Sequence, residues 1–106
     1  MTIVNMTPHS IKLVTASGTM QYAPVGLARV SQTQTVVGEV DGVKLVNVHF
    51  GEVVGLPEPV TGTLYIVSAM VREACKSRTD LASPGDLVRD ADGNIQGCKS
   101  LILNPL

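Results

Sequence analysis

The sequence predicts a β-rich α+β domain: a twisted antiparallel sheet of hairpins with one short amphipathic helix packed on it. Three observations carry that expectation. Val, Thr and Ile are abundant, and β-branched side chains fit a pleated strand better than a helix. Turn signals recur at Ser17-Gly18, Asp41-Gly42 and Asp92-Gly93, each between apolar runs. Helical spacing shows once, where Val67, Met70, Val71, Ala74 and Cys75 fall on one face. With 106 residues the chain suits a single domain, residues 1–106, with one core. Several hairpins and a single amphipathic segment leave few other ways to bury both kinds of face.

Residues Thr2 to Met6 and Ile11 to Val14 are short β-rich runs. Between them lies Thr7-Pro8-His9-Ser10, where Pro8 lacks an amide for any ladder and marks a bend. Ser17-Gly18-Thr19 turns the chain so that Met20 to Ala23 returns antiparallel on Ile11 to Val14. Pro24 and Gly26 end that strand. Ala28-Arg29-Val30 reads as a short extended piece with its arginine opposite in sense to its apolar neighbours.

The hairpin from Thr35 to Phe50 is the clearest local structure, because Asp41-Gly42 is a favoured two-residue turn between valine-rich runs. That loop pairs Val40 with Val43, Glu39 with Lys44, Gly38 with Leu45, Val37 with Val46 and Val36 with Asn47. Glu39 and Lys44 become cross-strand opposites, an internal check on the register. Farther from the turn the same face carries Val37, Val46, Val48 and Phe50 and is expected to be a core face, with Asn47 and His49 opposite.

Gly51 to Gly62 holds Gly55, Pro57, Pro59 and Gly62, too many breakers for a regular element, so a loop of about a dozen residues is expected. Leu64 to Val67 suits a buried strand. Ser68 is placed to cap a helix from Ala69 to about Lys76. At about two turns this helix depends on packing its stripe against the sheet. Ser77 to Asp86 reads as a polar loop with the turn pair Pro84-Gly85, and Leu87 to Arg89 with Ile95 to Leu103 as a closing hairpin across Asp90 to Asn94.

Composition narrows function. The balance of 8 Lys plus Arg against 9 Asp plus Glu, a net charge of -1, is the wrong sign for neutralising many phosphates, so polynucleotide binding is disfavoured. Only Tyr22, Phe50 and Tyr65 are aromatic, too few for a single-strand stacking platform. The start, MTIVNMTPHSIKL, lacks the features of a signal peptide, and no apolar run reaches the roughly 18 residues of a membrane helix. A cytoplasmic protein without membrane contact is expected.

Catalysis has no positive sign. His9, His49, Cys75 and Cys98 are ligand types for zinc, but they are scattered singly where structural zinc sites use close pairs. No metal or cofactor is therefore expected. Cys98 and Ser68 sit in no strained nucleophile elbow, and no paired-carboxylate, phosphate-loop or dinucleotide pattern occurs. Both cysteines read most simply as packed thiols.

Binding has more support. A helix beginning after Ser68 offers free amides, and Arg72, Arg78 and Arg89 lie nearby in sequence with the geometry that phosphate favours. The ordinary alternative pairs these arginines with Glu73, Asp80, Asp86 or Asp90. Asn5 and His9 form a small polar cluster able to read a base or ribose; its ordinary alternative is a turn whose Asn and Thr side chains bond local backbone.

The segments VNMTPHSI, APVGLARV, GEVVGLPEP, LYIVSAMV, RTDL and VRDADGNIQGCKSL together resemble small phage, prophage and actinobacterial proteins that begin with a V-N-L-T-P-H-type segment. Met6 stands where that pattern has Leu. The resemblance covers nearly the whole chain and implies a phage setting rather than a chemistry. Small phage proteins of similar size include anti-defence proteins that sequester cyclic oligonucleotide or cyclic ADP-ribose signals, commonly as oligomers with pockets between subunits. On that model a small anionic nucleotide would meet arginines for phosphate, an apolar wall for the base and polar side chains for ribose. Arg29, Arg78, Arg89, Tyr65, Asn5 and Asp80 supply those types, with Ser68 and His9 beside them. The second expectation is a phage interaction or assembly module with no small ligand, docking through a sheet edge or the Gly51 to Gly62 loop. Plentiful apolar residues and unguarded sheet edges also favour a homo-oligomer.

Overall fold

The computed structural model describes residues 2–105. Its elements are β1 (Thr2–Asn5), β2 (Ile11–Thr15), β3 (Gly18–Tyr22), β4 (Arg29–Val40), β5 (Val43–Val54), β6 (Thr63–Ile66), α1 (Ala69–Ala74), β7 (Leu81–Arg89) and β8 (Ile95–Leu103). The β-rich α+β class with one short packed helix holds. The strands divide into a six-stranded sheet, ordered β1-β6-β7-β8-β2-β3, and a separate two-stranded hairpin of β4 and β5. The larger sheet is mixed: β1 with β6, β6 with β7 and β2 with β8 are parallel, whereas β2–β3 and β7–β8 are antiparallel hairpins. The β2–β3 hairpin is antiparallel as expected, with Ile11 opposite Tyr22 and Val14 opposite Thr19.

The core lies where β1, β6, β7, α1 and the base of the β4–β5 hairpin meet. Met6, Ala28, Tyr65, Val67, Val71 and Leu81 are buried there, and Val4, Val30, Val53, Leu56 and Cys75 pack around them. The helix is as short as its stripe allows. Ser68 accepts the Val71 amide at its start, and Asn104 donates to the Cys75 and Arg78 carbonyls beyond its end. Such side chains satisfy groups that a helix end leaves unpaired. The outer edge of β1 is covered by residues 24–28, where Val25 donates to the Asn5 carbonyl and Ala28 to the Met6 carbonyl. Covering an edge in this way removes it as a template for further strands.

Several expected boundaries move. Ala28-Arg29-Val30 is not a separate piece, because β4 runs unbroken from Arg29 to Val40. Likewise β5 continues through Gly51 to Val54, so the loop shrinks to residues 55–62. That loop is pinned, with the Pro57 carbonyl accepting from Arg78 and the Glu58 carbonyl from Tyr65. Pro84-Gly85 is not a turn but the middle of β7, where Pro84 pairs with Leu101 and Gly85 with Ser100.

The reason is visible in the hydrogen bonds. The Asp80 and Ala82 carbonyls face β6, accepting from Tyr65 and Val67. Pro84, two residues on, turns its nitrogen to the same side, beyond the end of β6 at Ile66, where no ladder amide is needed. At Gly85 an added Cβ would meet Ile102 Cγ1 at 2.8 Å and Cδ1 at 2.9 Å, so the glycine serves close packing rather than a turn.

The β4–β5 hairpin differs from everything else in the chain. Asp41 and Gly42 both take positive φ, 50° and 80°, the conformation of a tight type I′ turn. The expected register holds from Val40–Val43 to Gly38–Leu45 and then slips. Val37 is a bulge, so Val36 rather than Val37 pairs with Val46, and Thr35 rather than Val36 pairs with Asn47. Twelve residues per strand make an arm of about 40 Å. Outside its own two strands, its main element contact is with α1, and Val30 and Val53 pack on the core at its base. The expected core face is also corrected: Val37, Val46, Val48 and Phe50 are exposed, because the rest of the chain packs only at the hairpin's base.

Candidate functional site

Most of the polar residues expected to hold an anion are occupied by the fold. Asn5 is only 1% exposed. Its amide donates to the His9 and Tyr22 carbonyls at 2.8 and 2.9 Å, and its carbonyl oxygen accepts from the amide and hydroxyl of Thr7. All its hydrogen-bonding capacity is thus spent on closing the bend that leads into β2. His9 contributes its backbone carbonyl to that cluster, while its ring is on an exposed residue.

Arg78 and Asp80 do come together. Nε and Nη2 of Arg78 each reach an Asp80 carboxylate oxygen at 2.7 Å, and Nη2 also donates to the Pro57 carbonyl. The guanidinium holds the Asp80 carboxyl below its ordinary range, and that hydrogen bond raises Arg78 in turn, both against an opposing effect of burial. This is a bidentate pair that ties the 55–62 loop to the segment before β7, with little left over for a ligand. Tyr65, next to it, is buried with its hydroxyl on the Glu58 carbonyl.

The remaining cations are dispersed. Arg72 turns away from the helix start, its Nε donating to Ser83 at 2.8 Å and its Nη1 to Asn104 at 3.3 Å. Ser68 Oγ is used by the Val71 amide. Arg89 donates to the Gly93 carbonyl in the β7–β8 turn, and Arg29 is exposed at the base of the arm. The structure therefore groups Arg78 with Asp80 and Tyr65, and Asn5 with His9. It leaves Arg29, Arg89 and Ser68 on separate elements. Among the described residues, no three His, Cys, Asp or Glu side chains converge as a metal site would require.

Two features remain that the fold itself does not consume. The first is an open depression of about 410 Å³ where the His9 bend, β2, β7 and β8 meet. Ile11, Pro84, Leu87 and Ile95 give it an apolar wall, and His9 and Lys12 give it a polar rim. Its size falls in the range of small-ligand sites. Cys98 also borders it, but the thiol is buried against the Lys12 carbonyl at 3.6 Å, and burial raises its pKa. A thiol held protonated in this way is a poor nucleophile.

The second is the arm. The pairs Gln32–Phe50, Gln34–Val48 and Val36–Val46 lie on one side, and Thr33–His49 and Thr35–Asn47 on the other. Toward the base Ser31 opposes both Gly51 and Glu52, which returns Val30 and Val53 to the first side. The side that packs on the core through Val30 and Val53 therefore continues outward as Phe50, Val48, Val46 and Val36. These are exposed by 40, 44, 40 and 57%. The alternation was legible in the sequence; the exposure was not, because a period of two gives the face and not what covers it. Lys12 and the depression had no sequence signal, since they depend on a single parallel pairing, Leu13 with Cys98. The chain matches no protein-family model, no curated protein and no solved structure.

Proposed function

We propose that the chain is a non-catalytic protein–protein interaction and assembly module whose docking element is the β4–β5 arm. The observation that carries this reading is the apolar side of the arm, which extends the core face beyond anything in its own chain. A hairpin of two strands is marginal in water by itself, and contiguous exposed apolar surface of this kind marks binding sites. Internal use of Asn5, Arg72, Arg78, Asp80 and Tyr65 supports the same reading, because it engages those groups in the fold. The test is the size of the complex containing the chain in a cell extract. Val46→Glu with Val48→Glu, folded by circular dichroism, is expected to release the chain from that complex. Wild-type protein migrating in extract as a lone chain of 11.1 kDa contradicts the reading.

The depression edged by His9 and Lys12 favours a second reading, sequestration of a small anionic nucleotide signal by a phage-type anti-defence protein. A cyclic oligonucleotide or cyclic ADP-ribose derivative that binds the folded state raises its melting temperature by mass action. Lys12→Glu is expected to abolish the shift, and intact ligand recovered after denaturation separates sequestration from hydrolysis. No shift across the panel removes this reading.

A further inference from the structure

We infer that the partner of the arm is a second copy of this chain, so that the exposed face of Phe50, Val48, Val46 and Val36 is the half-core of a homo-oligomer. The inference rests on the assembly reading and names its partner. Surface area gives the first support. The chain exposes 7083 Å², whereas a globular monomer of 11.1 kDa exposes about 5,650 Å². The excess of about 1,400 Å² per chain is about 2,800 Å² for a pair, within the range of roughly 2,000–5,000 Å² that obligate homodimers bury. Shape agrees with area. The radius of gyration is 16.3 Å, against about 13 Å for a compact chain of this length.

The arm's edges point the same way. From Val30 to Gly38 and from Leu45 to Gly51 there is no Asp, Glu, Lys, Arg or Pro. Chains that remain single place charges or prolines on such edges to prevent pairing. Here those devices are confined to the tip, with Glu39, Asp41 and Lys44, and to the base, with Arg29 and Glu52. The middle of the arm is left open to another strand or another apolar face.

A second copy fits better than a foreign protein because the chain carries both halves of a contact. Besides the arm, one face of β7 and β8 exposes Leu87, Ile95 and Ile102. In a two-fold arrangement each copy supplies an arm and receives one, and the same patch is buried twice. A foreign partner on the arm would leave this second apolar surface open.

The test is light scattering on the purified full chain at micromolar concentration, with Val48→Glu and with Asn47→Lys, which lies on the arm's other side. The expected result is a wild-type mass at a multiple of 11.1 kDa, reduced to that of one chain by Val48→Glu and unchanged by Asn47→Lys. A monomeric wild type overturns the inference, as does a multimer indifferent to Val48→Glu. If the pure chain is monomeric yet Val46→Glu with Val48→Glu still frees it from a complex in extract, only the second copy fails. If it is monomeric in both settings, the assembly reading fails as well.

Discussion

The six-stranded sheet and the β4–β5 arm are built from the same kinds of residue and treat them oppositely. In the sheet, Ile66, Leu81 and Ala82 are wholly buried, and even the polar Asn5 and Ser83 are enclosed. Among the described residues no buried side-chain nitrogen or oxygen lacks a partner. In the arm, valine after valine faces outward. The difference teaches that an amphipathic pattern specifies a face to be covered without specifying which chain covers it. The sheet encloses those β6 and β7 residues within one chain, whereas the apolar side of the arm is left uncovered by its own chain.

Core substitutions are expected to separate the two regions most strongly. Leu81→Ala, at a fully buried site, should cost about 2–5 kcal/mol of unfolding free energy. Chemical denaturation of the variant measures this, and a loss no larger than at an arm position would break the distinction. Asn5→Asp comes next. It keeps the acceptor for Thr7 but sets a carboxylate against the His9 and Tyr22 carbonyls, and lost or repelled buried bonds of this kind cost about 1–3 kcal/mol each.

The Arg78–Asp80 pair gives a pH test. Asp80 is depressed in the folded state, so its contribution is fully present above the carboxyl's unfolded value of about 3.9. It is lost as pH falls through the lower folded value. Melting temperature against pH should drop in that acidic window, and Asp80→Asn should flatten that part of the curve while lowering stability at neutral pH. An acid limb unchanged in the variant would assign it to other carboxylates. Ser68→Ala, which removes the cap on the Val71 amide, should cost about 1 kcal/mol. The smallest effect is expected in the arm: Val48→Ala in dilute, dissociated protein should change stability by less than about 0.5 kcal/mol. A core-sized loss there would mean that the arm's face is already covered within the monomer.

What the sequence made legible was mostly local. Asp41-Gly42 placed its turn, Ser68 its cap, and the β2–β3 and β7–β8 hairpins followed from their turn residues. Val37 was missed because a bulge inside a β-branched run leaves no compositional trace, and one extra residue shifts every pair beyond it. Pro84-Gly85 reads as a turn in isolation; only the end of β6 nearby makes a proline acceptable within β7. The parallel pairings of β1, β6 and β7 join segments far apart in sequence, which no turn signal encodes. For the candidate site, the Asn5 cluster was legible as an ordered bend, and local backbone bonding is what the structure shows. The depression at His9 and Lys12 was not.

Contacts between copies test the central claim most directly. A mixed sample of isotope-labelled and unlabelled chains, examined by filtered NMR, reports only proximities between different molecules. Cross-peaks are expected from the methyls of Val46 and Val48 and the ring of Phe50 to the unlabelled chain. If those groups show none at micromolar concentration and remain open to solvent, the arm is not the half-core of an assembly of identical chains.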